Sequence, residues 1–215
     1  MPPYCYSLLS QEQYTIRLLR LLPSQRRSED IRCNLFEYTI QELDTENHLY
    51  EALSYVWGGE ERTKSITIDG QELAITQNLH TALLRLRNSK LPRIIWADAI
   101  CINQADDNEK ELQIQFMATI YAKASSVIVW LGEAQDNSNQ ALDALRVASS
   151  ARFEAKQYRQ TAQASIWLSE PAILHLLERA WFRRIWVRKP IFVKGDCETN
   201  GRLRSSKKSL RLDIS

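Results

Sequence analysis

The apolar run from Val127 to Leu131, closed by Gly132, limits the possible folds of this chain more than any other feature. A short run of β-branched and aromatic residues without polar alternation is typical of a central parallel strand. Two further strands are predicted upstream: residues 50–57 are mostly apolar and aromatic, and residues 93–98 read Arg-Ile-Ile-Trp-Ala-Asp.

Segments with helical spacing separate these strands. Leu79, Leu83 and Leu86 recur at helical intervals, with Thr76 or Asn78 available as the N-cap. A second helix is predicted to begin at Asp106 or Asp107, because acidic residues suit the positive end of a helix. Its predicted apolar face comprises Leu112, Ile114, Phe116, Met117, Ile120 and Tyr121. Two later helices are predicted at about 139–156 and 171–188.

The remaining strand signals complete an α/β pattern. Asp69-Gly70 between apolar stretches predicts a type I′ hairpin, and residues 15–22 and 31–40 predict two N-terminal strands. Alternation of strands and helices favours an α/β fold with a mostly parallel central sheet, flanking helices and an added β-hairpin. We expect N-terminal strands over 1–45, an α/β domain over 46–190 and a basic, disordered tail over 191–215.

Charge is unevenly distributed along the 215 residues. From residue 179 onward there are eleven Lys and Arg against three Asp and Glu, while the whole chain has a net charge of +2. The basic tail has no interleaved aromatics and no nucleic-acid fold signature, so nucleic-acid binding is not predicted. No apolar run is long enough for a membrane span, and no secretory signal is visible. The expected location is therefore cytoplasmic, with reduced cysteines.

The candidate site lies where three strands end, because ligands of open α/β sheets bind outside the carboxyl ends of the strands. The candidate residues at the first two ends are Ser54, Tyr55, Trp57, Gly58, Asp98, Asn103 and Gln104. Asp98 has a structural alternative as a loop cap or ion-pair partner. Trp57, Trp96 and Trp130 are interpreted either as core residues or as a stacking platform.

Other chemistries lack the residues that they need. Cys101 as a nucleophile would require a base and a lowered pKa, and Ser54 lacks the G-x-S-x-G context of a hydrolase. The scattered His and Cys have no zinc-site spacing, so no metal site and no cofactor are predicted.

Taken in order, the strand ends resemble the fungal heterokaryon incompatibility (HET) domain family. The block Tyr50-x-Ala-Leu-Ser-Tyr-x-Trp-Gly58 is followed by Trp96-Ala-Asp-Ala-Ile-Cys-Ile-Asn-Gln104 and by 127–132. Between them, the predicted helix carries the family's acid, glutamine, methionine and tyrosine positions: Glu109, Gln113, Met117 and Tyr121. Membership would imply an effector of non-self recognition and programmed cell death that acts through self-association or protein partners. Glu109 would then complete the functional cleft.

The family also looks distantly similar to the Toll/interleukin-1 receptor (TIR) fold, a flavodoxin-like sheet. That similarity implies an alternative function as an NAD glycohydrolase, with NAD as substrate and Asp98 or Glu109 as the candidate catalytic carboxylate. The family's later glutamine–glutamate pair is replaced here by Lys189-Pro190, so NAD cleavage is expected to be weak or absent. The C-terminal part is accordingly interpreted as truncated or diverged, and an inert or unstable product is a third alternative.

Overall fold

The structure is a computed structural model. It describes residues 1–10, 14–26, 29–40, 48–59, 61–143, 170–183 and 209–213.

In the described residues, eight strands form one sheet with the order β5-β4-β2-β1-β6-β3-β7-β8. The strands are β1 (Thr15–Leu21), β2 (Arg32–Thr39), β3 (His48–Ser54), β4 (Lys64–Ile68), β5 (Gln71–Ile75), β6 (Arg93–Trp96), β7 (Ala124–Trp130) and β8 (Ser209–Asp213).

The α/β class is confirmed, and the sheet is mixed: in the described residues four of the seven neighbouring strand pairs are parallel and three are antiparallel, so the prediction of a mostly parallel sheet holds only in part. Strands β6, β3, β7 and β8 run parallel to one another. Strand β1 is antiparallel to both of its neighbours, β2 and β6, and the β4–β5 hairpin is antiparallel as well. The cause is the position of β1: it lies between β2 and β6 and is antiparallel to both, so it separates the parallel β2–β4 pair from the parallel strands β6, β3, β7 and β8.

Two strands differ from their predicted roles. Strand β1 lies inside the sheet, with Ile16 and Leu19 fully buried. Strand β8 falls within the segment predicted to be a disordered tail, and over its five residues Leu210 and Leu212 supply the period-two pattern of a strand. The rest of that predicted tail lies outside the described residues, and the predicted boundaries at 45 and 190 stay predictions.

Helix α1 (Gln77–Leu86) confirms the helix predicted after the hairpin. Its N-cap is Thr76, whose side chain accepts a hydrogen bond from the backbone N–H of Leu79 at 3.4 Å. Leu79, Leu83 and Leu86 face the core, as their helical spacing indicates.

Helices α2 (Asp98–Cys101) and α3 (Asp107–Lys123) follow β6. Asp106 caps α3 by accepting hydrogen bonds from the backbone N–H groups of Asn108 and Glu109. The predicted apolar face of α3 is partly wrong, because Leu112 and Ile114 are half or more exposed. The polar Gln113 is buried between them, since its amide bonds the backbone of β1.

The chain forms two compact units. The first contains residues 1–130 together with β8, and its core is built around the fully buried Tyr50, Trp96 and Trp130. The core interpretation is therefore confirmed for two of the three tryptophans, whereas Trp57 is 37% exposed.

The second unit is described over 131–143 and 170–183. It contains helix α4 (described over 138–143), helix α5 (Glu170–Leu177) and a 3₁₀ turn (Ala180–Arg183). Arg179 joins the segments by donating to the carbonyl of Leu131 at 2.9 Å. The remainders of the two predicted C-terminal helices, and Lys189-Pro190, lie outside the described residues. None of the helices in the described ranges has the length and apolar character that crossing a membrane requires.

Candidate functional site

The loop after β3 and the turn after β6 meet at Trp57 and Asp98. Because Ala52 of β3 lies in register with Trp96 of β6, the two parallel strands end at the same edge of the sheet. The indole N–H of Trp57 lies 3.3 Å from Oδ1 and 3.2 Å from Oδ2 of Asp98. Two candidates that are 41 residues apart in sequence are thus in direct contact.

Hydrogen bonds hold both the side chain and the backbone of Asp98. It is only 9% exposed, and its Oδ1 also accepts a hydrogen bond from the backbone N–H of Ala99 at 2.8 Å. Its backbone carbonyl accepts one from the side-chain amide of Gln104 at 3.0 Å. Gln104 also bonds the carbonyl of Ile102, so its amide serves to close the loop after α2.

Glu109 lies in a different environment from Trp57 and Asp98. It forms a bidentate ion pair with Arg17 of β1, with N–O distances of 2.5 and 3.2 Å. The side chain of Arg17 is 2% exposed and that of Glu109 is 10% exposed. The Arg17 guanidinium also bonds the carbonyl of Ser7 at 2.6 Å and lies over the ring of Tyr6. This carboxylate therefore joins the N-terminal segment to α3.

Asn103 supports the same junction. Its backbone N–H donates to Oε1 of Glu109 at 2.8 Å, and its side-chain oxygen accepts from the backbone N–H of Ala105 at 3.1 Å. The first contact joins the loop between α2 and α3 to α3 itself, and the second lies within the loop.

The residues at the end of β3 are largely internal. Tyr55 is 1% exposed, and Ser54 is half-buried. Gly58 has a φ of +77°, and a Cβ added there would lie 3.2 Å from Cβ of Asn78. Among the described residues 54–59, only Trp57 and the two glycines that follow it are exposed.

Asn78, one of the two candidate N-caps of α1, is not the cap but connects three elements. Its side-chain nitrogen donates to the carbonyl of Val56 at 2.5 Å, and its oxygen accepts from the indole N–H of Trp130 at 2.8 Å. Trp130 ends β7, so one amide ties the loop after β3 to the end of β7 and the start of α1. The sequence contained one indication of this role: Asn78 lies in the first turn of a helix whose N-cap is Thr76, so its side chain is not needed for capping.

A surface pocket of about 260 Å³ opens beside Trp57. It is lined by Trp57, Gly59, Arg62, Ala74, Ile75, Thr76 and Ala99. Among the predicted cleft residues, Trp57 alone contributes to this lining in the described part of the chain. The pocket extends to Ala74 and Ile75 of the β4–β5 hairpin, a contribution that no sequence motif indicated.

Replacing Gly58 with Ala is expected to cost about 2 kcal/mol of unfolding free energy, because the left-handed backbone and the Asn78 contact both oppose a Cβ. Gly70 is a matched control, since it has a φ of +82° and open space around an added Cβ. Gly70→Ala should therefore show the backbone effect alone. Urea unfolding of both variants measures the difference; equal losses would contradict the steric role of Asn78.

Cys101 does not have the environment of a nucleophile. It is fully buried beneath the turn after β6, and burial raises the pKa of its thiol to about 12. Burial has the same effect on the pKa of Cys33, which is also raised to about 12. Thiolate is the reactive form, so both thiols are expected to be inert at neutral pH.

Alkylation with iodoacetamide at pH 8 tests this expectation. Cys5 is exposed and should be modified rapidly, whereas Cys33 and Cys101 should be modified only after denaturant is added. Mass spectrometry of the proteolytic peptides identifies the modified residue. Modification of Cys101 in the native protein at a rate similar to that of Cys5 would restore it as a candidate nucleophile.

The fold and the site define an α/β domain whose strand-end loops are fastened by side-chain amides and an indole–carboxylate contact, with one small pocket beside the indole. The sequence model of the family described as Heterokaryon incompatibility protein (HET) matches residues 50–189. The chain therefore belongs to the HET family. No solved structure matches it significantly.

A curated relative is similar over most of this chain. It is the "Heterokaryon incompatibility protein 6, OR allele" of Neurospora crassa, which is 32% identical over 219 aligned residues. The alignment covers 83% of this chain and 32% of the relative. The chain thus spans about a third of the length of the relative.

Proposed function

We propose that this chain is an effector module of fungal heterokaryon incompatibility that acts through association with other protein molecules. The observation that carries the proposal is the family match over 50–189. The name of the Neurospora crassa relative agrees with it. Within the proposal, non-self recognition leads to growth arrest and programmed cell death, as in an innate immune response, and the cytoplasm is the site of action.

The arrangement of the site supports binding as the activity of this module. Trp57 exposes more than a third of its surface while its indole nitrogen is fixed on Asp98. An aromatic side chain that is both anchored and exposed contributes contact area at little entropic cost, which is characteristic of protein-binding sites.

Inducible expression of the 215-residue chain in a compatible Neurospora crassa strain tests the proposal. We expect induced hyphae to stop growing and to take up a vital dye, and Trp57→Ala to weaken both effects. Lys90→Ala, at an exposed lysine in the α1–β6 loop, is the control and should act like the unmodified chain. Normal growth at matched protein levels would overturn the proposal.

The NAD glycohydrolase alternative has weaker support. A catalytic carboxylate must be available to steady the ribose and its developing positive charge. Glu109 is instead paired with Arg17, and Asp98 accepts hydrogen bonds from Trp57 and Ala99.

We expect no release of nicotinamide above the spontaneous rate when the purified chain is incubated with NAD. Liquid chromatography of the mixture over several hours measures the product. Robust turnover that Asp98→Asn abolishes, with the thermal melt unchanged, would contradict this expectation and favour the enzyme.

A further inference from the structure

The N-terminal segment lies along the edge strand of the sheet. The backbone N–H of Glu72 in β5 donates to the carbonyl of Pro2, and the N–H of Tyr4 donates to the carbonyl of Glu72, both at 2.8 Å. Pro3 and Glu72 form a parallel bridge. The outer edge of β5 therefore already accepts an extended segment by strand addition at one residue.

The same edge continues at Ala74. In an antiparallel pair, successive residues direct their backbone groups alternately toward the partner strand and away from it. Glu72 is directed away from β4, since it bonds the N-terminal segment. Ala74, two residues further along β5, must therefore direct its N–H and carbonyl to the same outer edge. Ala74 is also exposed, and its small side chain leaves its backbone accessible.

The N-terminal segment leaves this edge before it reaches Ala74. The backbone N–H of Cys5 bonds the side chain of Gln71, and the hydroxyl of Tyr6 donates to the carbonyl of Ile100 at 2.9 Å. The segment thus turns from β5 toward α2 after Tyr4. The stretch of β5 beyond Glu72 contributes Ala74 and Ile75 to the pocket beside Trp57.

The pocket lining combines an apolar surface with one positive charge. Trp57 and the alanines 74 and 99 are apolar, and Arg62 is the one charged side chain among the lining residues that the structure describes. Arg62 is exposed. Such a lining complements an extended segment that places an aromatic or aliphatic side chain against the indole and an acidic side chain near the guanidinium.

We propose that this pocket is a peptide-binding groove: an extended, acidic segment of a partner protein adds to the sheet edge at Ala74, packs an apolar side chain on Trp57 and pairs a carboxylate with Arg62. The proposal rests on the proposed function, because it identifies the surface through which the module associates with proteins. It deepens that function by specifying the chemistry of the partner. A nucleotide or another small molecule in the pocket would not need the backbone of β5, and this difference makes the proposal testable.

The test uses a phage-displayed library of random heptapeptides, selected against the purified 215-residue chain. Ala74→Pro removes the N–H that the added strand needs, at an edge position where proline does not interrupt the β4–β5 hydrogen bonds. Ala74→Ser keeps the N–H and is the matched control. Arg62→Glu reverses the charge in the groove, and Lys90→Glu makes the same change at a distant exposed site.

We expect the selected peptides to contain Asp or Glu near an aromatic or aliphatic residue. Their affinity, measured by fluorescence anisotropy, should fall at least tenfold with Ala74→Pro and with Arg62→Glu, and less than twofold with the two controls. N-methylation of every second amide of a selected peptide should abolish binding when the methylated amides face β5. Methylation of the other amides should leave binding intact. This last measurement does not depend on whether Ala74→Pro folds.

Failure to select any peptide would overturn the groove. So would peptides that bind Ala74→Pro and the unmodified chain equally, or that tolerate every N-methylation. These results would leave the proposed function standing, because the hyphal growth assay is scored without any peptide. Growth arrest that persists in Ala74→Pro together with lost peptide binding would likewise overturn the groove as the surface used in incompatibility.

Discussion

Glu109→Gln is expected to destabilise the protein by about 3 kcal/mol, because it leaves the Arg17 guanidinium buried without its counter-ion. The substitution preserves the shape of the side chain and its acceptor for the backbone N–H of Asn103. The loss therefore reports the missing charge. Urea unfolding monitored by circular dichroism measures it.

Asp107 provides a control in the same helix. Its carboxylate pairs with Lys110 at 2.6 Å, but it is 92% exposed. Asp107→Asn should leave the unfolding midpoint unchanged, because exposed ion pairs contribute little to stability.

A double replacement tests whether the loss of stability comes from the unpaired charge of Arg17. Removing both charges with Arg17→Met and Glu109→Leu should recover most of the stability, since apolar residues of similar size can replace a buried ion pair. If Glu109→Gln left stability unchanged and yet abolished an activity of the chain, the structural role of Glu109 would be wrong and a catalytic role would be favoured.

Asn78→Ala is expected to cost about 2–3 kcal/mol, because it leaves the buried indole N–H of Trp130 and the carbonyl of Val56 without their amide partner. The loop after β3 should also exchange its backbone amides faster with solvent, since Asn78 fastens it to α1. Hydrogen exchange followed by mass spectrometry resolves residues 55–59 from the rest of the domain.

Two variants make the Asn78 result interpretable. Gln77→Ala, on the exposed side of the same turn, should change neither stability nor exchange. Asn78→Asp keeps an acceptor for Trp130 but places a carboxylate against the carbonyl of Val56, so it should also be destabilising. An Asn78→Asp variant as stable as the unmodified chain would contradict the role assigned to the Val56 contact.

Local features were predictable from the sequence because local physics determines them. The Asp69-Gly70 turn has positive φ at both residues, and Thr76 caps α1. The contact between Trp57 and Asp98 was predictable too, since the carboxyl ends of parallel strands lie at one edge of a sheet.

Long-range pairing was not predictable from such patterns. The apolar pattern of residues 15–22 does not indicate that β1 lies between β2 and β6, because an apolar strand can pair with many different strands. The sheet is mixed because β1 occupies this position and is antiparallel to both neighbours. Arg17 did contain a signal, since an arginine within an apolar strand requires a buried partner, but its identity depends on the packing of α3.

The same limit applies to the candidate site. Glu109 and Asn103 follow the strand end closely in sequence, yet α3 directs Glu109 toward Arg17. Ala74 and Arg62 were not predicted as site residues, because neither belongs to a sequence motif or follows a predicted parallel strand. Their interest comes from the edge position of β5, which only the strand order reveals.

The family match begins at residue 50, but the polypeptide before it is not dispensable. Arg17 and the carbonyl of Thr15 hold Glu109 and Gln113 of α3, and β1 supplies hydrogen bonds along β6. A fragment that starts at the matched segment would have a bare strand edge and an uncompensated carboxylate in its interior. Residues 14–40 are thus an integral component of the folding unit, and any transplanted or shortened version of this domain has to carry them.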